Sequence, residues 1–158
     1  MKTRVALSIV VALAQLCASS AYSQAPVTPP PAFDAALAQK TGADDYGMKK
    51  YVLVVLKTGP NKMPAGPERD AMFKGHFANI NRLAAEGKLA LAGPFDGVDG
   101  WRGLLILAVN DLDEARLLVA TDPVVANGEM VAEYHKYYGS AALMLVNDAH
   151  KTVARKSF

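Results

Sequence analysis

Two side chains have the types that proton transfer needs. His76 lies in "FKGHFANINRLAAEG" (73–87), and Asp122 lies in "ATDPVVANG" (120–128). Imidazole is the side chain whose charge changes closest to neutral pH, so His76 is a candidate general acid/base. A carboxylate within hydrogen-bonding reach would orient that ring and stabilise its charged form. Each residue also has a plainer use. His76 can be a packed core histidine tied to a backbone carbonyl, with a partner for each nitrogen it hides. Asp122 can cap a helical turn that Pro123 opens. The two stand 46 residues apart, and that separation says nothing about their distance in space. The chemical reading requires them to meet.

The remaining polar signals are weaker. His135, in "EYHKYYG" with Tyr134, Tyr137 and Tyr138, reads as an exposed strand face with aromatic cross-strand packing, or as one wall of an aromatic pocket. His150 falls in a basic tail and reads as solvated. The three histidines lack a close ligand spacing, so no metal site is expected. Neither a P-loop, a dinucleotide glycine pattern nor a Gly-x-Ser-x-Gly elbow occurs, and no cofactor is expected.

Periodicity supplies the elements that must position the pair. "YVLVVLK" (51–57) is an apolar, β-branched run and reads as a buried strand. "TGPNKMPAGP" (58–67) is loop. A helix follows from Pro67 to about Glu86, with Glu68 and Asp70 in its first turn and Gly87 at its stop. With Ile80 as the centre of its inward face and about 100° per residue, Phe73, Phe77, Leu83 and Ala84 fall within about 60°, and His76 within about 40°. "KLALAGPF" (88–95) and "WRGLLILAV" (101–109) are the second and third strands, joined by the turn "DGVDG". A second helix covers "LDEARLLVA", one further helical turn fits 121–128, and "EMVAEYHKYYG" (129–139) is the fourth strand. "SAALMLVND" (140–148) fits either a strand continuation or a terminal helix.

Strand, helix, strand, strand, helix, strand is the order of the ferredoxin-like split βαβ fold, an α+β architecture with two helices on one face of a four-stranded antiparallel sheet. The first and third strands are apolar on both faces. Two helices cover one face, so the other needs a partner. A second copy packed sheet to sheet is the expectation, giving a homodimer with a closed centre. The rival cover is the N-terminal arm or the C-terminal segment.

The first residues carry a different message. Lys2 and Arg4 precede an apolar run (5–18) too short to span a bilayer comfortably, and Ala21-Tyr22-Ser23 fits a cleavage site. Residues 1–23 therefore read as a cleaved signal peptide, and the mature protein as secreted or periplasmic without a membrane anchor. The one cysteine, Cys17, lies inside this leader behind Leu16, which does not fit a lipid-attachment site. Cleavage after Ser23 leaves 135 residues with 15 basic and 15 acidic side chains. A neutral balance argues against a nucleic-acid partner. Residues 24–49 read as a proline-rich spacer and a short helix, 50–146 as the domain, and 147–158 as a tail.

Two segments resemble a known family. "GHFANINRLAAEGKLALAGPF" is similar to the part of YCII-related (YciI-like) proteins where a histidine-bearing helix runs to a glycine and on into a strand ending Ala-Gly-Pro. "ARLLVATDPVVANGEMVAEY" is similar to their second helix with its Asp-Pro ending. The resemblance spans about residues 50–140. It implies a dimeric α/β barrel built on the ferredoxin-like fold. It also implies a His-Asp pair in a cleft, mapping onto His76 and Asp122, with the strand end Ala92, Gly93 and Pro94 lining it as a substrate-binding segment. The family resembles small enzymes that process aromatic compounds, some linked to lyase or dehalogenating steps on phenols. The function expected is acid/base elimination or isomerisation of a small, aromatic molecule. A non-catalytic small-molecule-binding or accessory dimeric module is the alternative.

Overall fold

The β-branched run forms β1 (Met48–Thr58), a central strand of a four-stranded sheet. A computed structural model describes residues 32–156; the leader and most of the proline-rich spacer lie outside the described residues. A short helix α1 (Ala35–Thr41), capped by Asp34, precedes β1. Then come α2 (Pro67–Ala85), β2 (Leu89–Pro94), β3 (Trp101–Leu107), α3 (Leu112–Ala120), the single turn α4 (Pro123–Ala126) and β4 (Met130–Ser140). A 3-10 turn (Ala141–Leu145) leads into α5 (Val146–Val153). The sheet order is β2-β3-β1-β4, with every neighbouring pair antiparallel. This is the ferredoxin-like α+β arrangement.

Alternation along β1 and β3 divides the core in two. Val52, Val54 and Leu56 with Leu105, Leu107 and Val109 face the helices. They pack against Met72 and Leu83 of α2, Ala115 and Val119 of α3, and Val124 of α4. Burying each such aliphatic side chain contributes about 1.5–3 kcal/mol. On the other face Tyr51, Ala90 and Ile106 are buried beneath Leu143 and Met144 of the 3-10 turn. The C-terminal segment thus covers part of the outer face, the rival solution to a second copy there. Asn147 fixes the cover by donating to the Leu89 carbonyl at 2.6 Å on edge strand β2. Residues expected as a tail therefore contain a docked helix, α5. Further along the outer face Val131 and Tyr137 remain 45% and 38% exposed.

The loop between β1 and α2 is stitched to the start of β4. Gly59 donates to the Glu129 carbonyl at 2.8 Å, and Asn61 to the Gly128 carbonyl at 3.0 Å. A Cβ on Gly59 would stand 2.1 Å from the Gly128 oxygen, so only glycine permits this approach.

Candidate functional site

His76 belongs to the buried stripe Met72, His76, Asn79 and Leu83 of α2. This stripe is rotated by about 60° from an inward face centred on Ile80, at about 100° per residue. The rotation seats His76 inward and leaves Phe77 41% exposed, where the sequence placed it inside. One residue earlier, Gly75 lets α2 approach α4 closely. A Cβ there would meet Pro123 Cγ at 3.0 Å. Helix α3 ends at Ala120, and Asp122 caps α4, its Oδ1 accepting the Val124 N–H at 3.1 Å. The close helix approach and the cap together bring His76 Nδ1 to 2.7 Å from Asp122 Oδ2. The two side chains are 10% and 3% exposed.

The carboxylate can only accept, so the proton of a neutral His76 ring sits on Nδ1. That leaves Nε2 with a lone pair. Nε2 has no hydrogen-bond partner among the described residues, and it is not sealed from solvent. Proton uptake at Nε2 would create an imidazolium already facing a carboxylate. Asn79 supports the same carboxylate oxygen: its Nδ2 lies 3.5 Å from Oδ2. The orientation of that amide follows from Arg82, which donates to Asn79 Oδ1 at 2.8 Å and so turns the NH2 toward Asp122. The rings of Phe73 and Phe77 flank the imidazole, with centroids at 6.2 and 5.4 Å. Both also line a hollow of about 510 Å³ along α2, with Asp70 and Lys74 at its polar margin.

A second buried carboxylate stands near this wall. Glu129 is 1% exposed, accepting from Met63 N at 2.7 Å and from Arg69 Nη2 at 2.9 Å. The Met63 amide first, and then Arg69, hold its carboxyl below the usual range. The Arg69 guanidinium lies 4.6 Å over the Phe73 ring, so loop, β4 and the wall beside His76 form one connected set.

A family model for the YCII-related domain matches residues 50–135. The chain belongs to the YCII-related family. One curated relative is an uncharacterized protein, YjpA of Bacillus subtilis (strain 168), 37% identical over 54 residues. The match covers 34% of this chain and 61% of that relative, so the chain spans about six tenths of the relative's length.

Within this YCII-related domain the structure joins His76 to Asp122 by a direct hydrogen bond. Ala92 packs toward the helix-side core, Pro94 is exposed, and a Cβ on Gly93 would meet nothing within 4 Å. Among the described residues, no hydrogen bond or ring contact joins these three residues to the pair. His135 is exposed on the outer sheet face, 3.0 Å from Glu133 Oε1. Tyr134 points the other way, into the helix-side core. His150 is exposed on α5. Among the described residues no group of three or more His, Cys, Asp or Glu is arranged to hold a metal ion.

Sequence reading missed Asn79 and Glu129. Asn79 falls about 100° from the inward face centred on Ile80, so helical spacing gives no sign of its burial. Its burial follows from the rotated stripe. Glu129 stands between the turn at Asn127-Gly128 and β4, a place where a charge ordinarily faces water. Its partners Met63 and Arg69 are 66 and 60 residues away. A glycine directly before the helix histidine was the one local hint of a close approach.

Proposed function

We propose that this chain is an acid/base enzyme acting on a small, aromatic molecule, with His76 as the proton carrier and Asp122 as its positioning partner. The observation that carries the reading is the 2.7 Å contact from Nδ1 to a buried carboxylate, with Nε2 left unengaged. Nε2 removes a proton from a carbon or hydroxyl of the substrate, and Asp122 stabilises the resulting imidazolium. Return of that proton to another substrate atom completes an isomerisation. Its delivery to a departing group completes an elimination. The phenyl rings of Phe73 and Phe77 offer an apolar wall suited to a planar substrate.

The same reading takes the protein to be exported through its leader and to act as a homodimer joined across the uncovered part of the outer sheet face. Intact-mass measurement of the exported protein should give an N-terminus at Gln24, and retention of residues 1–23 would refute cleavage there.

One observation favours a non-catalytic ligand-binding module instead: Asp122 already serves as the cap of α4, which by itself accounts for a buried aspartate at that turn. Solvent exchange separates the two. Small phenols and enolisable carbonyl compounds that raise the melting temperature are incubated in D2O and followed by proton NMR. Deuterium entry at carbon is expected with the wild type and is expected to be lost in His76→Asn. Equal exchange in both proteins, or binding without exchange that His76→Asn leaves intact, overturns the catalytic reading.

A further inference from the structure

A larger hollow, of about 750 Å³, opens at the C-terminal end of α2, and no residue of the His76–Asp122 site lines it. Its sides come from the end of α1, the start of β2 and the C-terminal segment. The volume is in the range of small-molecule sites. The floor is apolar, from Leu89, Met144 and Leu145, and the Asn147 bond to the Leu89 carbonyl holds it in place.

Charge is concentrated at the rim. Lys40, Lys151, Arg155 and Lys156 line the hollow against one carboxylate, Asp148, a balance of +3 where the whole chain carries +2. Asp148 faces Lys40 at 3.8 Å and Lys151 at 3.1 Å. Those two cations share its single negative charge. Arg155 and Lys156 make no ion pair among the described residues, so their charge is not neutralised within the fold. A basic segment pointing into water would show the same charges without an apolar floor beside them. Here the two coincide.

We propose that this cleft binds a small amphipathic anion, its carboxylate held by Arg155 and Lys156 and its hydrocarbon body laid on Leu89, Met144 and Leu145. An apolar floor alone would take neutral molecules, and a cationic rim alone would take inorganic anions. The combination selects a molecule with one charged end.

Octanoate and octanol are the probes, titrated into the purified protein and followed by amide and methyl NMR shifts. Octanoate should shift Leu89, Met144 and Leu145 and saturate. Octanol should bind about tenfold more weakly or less, because it lacks the charge-assisted hydrogen bonds. Arg155→Gln with Lys156→Gln should weaken octanoate by a similar factor. Both positions are exposed, and unchanged shifts elsewhere would show that the double variant folds. Should it fail to fold, loss of octanoate binding by the wild type on raising the salt concentration carries the same information. Equal binding of octanoate and octanol, an unaltered affinity in the folded double variant, shifts confined to other regions, or binding to anionic lipid vesicles without binding to free octanoate would each overturn the proposal.

Discussion

At the scale of single residues, Asp122 does two jobs that substitution separates. Asparagine preserves the cap on Val124 N–H but removes the charge facing His76, whereas alanine removes both. Asp122→Ala should cost about 2–4 kcal/mol in urea unfolding, from a lost cap plus an unpaired buried N–H. Asp122→Asn should cost distinctly less. Similar losses for the two would mean that the cap contributes nothing. Glu129 makes a separate pH-dependent contribution. Its carboxyl lies below the ordinary range, held first by the Met63 amide and then by Arg69. The unfolded chain therefore binds a proton that the native state resists. The contribution is complete above the ordinary glutamate value of about 4.3 and fades as pH falls through the lower native value. Glu129→Gln should lower stability at pH 7 by about 1–3 kcal/mol. It should also flatten the acid limb of the stability curve, and an unchanged acid limb would contradict this assignment.

At the scale of elements, the approach of α2 to α4 decides whether the pair exists. Gly75 weakens a helix by about 1 kcal/mol relative to alanine, so its place there reflects proximity to Pro123. Gly75→Val should push α4 away at a cost of about 1–3 kcal/mol and break the His76–Asp122 bond. Unfolding measurements and the His76 ring signals check both outcomes, and an intact bond in a folded Gly75→Val protein would show that the approach is not limiting. This contact also shows what could be read without coordinates. The strands and both long helices follow from β-branched runs and helical spacing, because one solvent boundary imposes one period on each. The Asp122-Pro123 cap was readable for the same local reason. The inward face of α2 was misplaced because Phe77 and Ile80 weigh more heavily than an asparagine whose burial depends on Arg82 and Asp122. The run from Ala141 to Val146 stayed ambiguous because it is apolar at both periods. Only the seating of Leu143 and Met144 on Tyr51 and Ile106 decides it.

At the scale of the molecule, the proposed dimer would join across the outer sheet face. Its cover by the C-terminal segment is partial, and Val131 and Tyr137 lie on the part left open. Lys57 and Glu133 form an ion pair on the same face, with His135 Nε2 3.0 Å from Glu133 Oε1. A second copy seated there must bury those charges beside the apolar residues, so it must keep them paired. Light scattering should give the mass of two chains for the wild type and of one chain for Val131→Lys. A monomeric wild type at micromolar concentration would contradict the dimer.

The pair itself is tested most directly by nitrogen-15 NMR of the His76 ring. The account predicts a proton on Nδ1 held toward Asp122, and a change in both ring signals in Asp122→Asn. A ring protonated at Nε2 alone, or signals indifferent to that substitution, would contradict it.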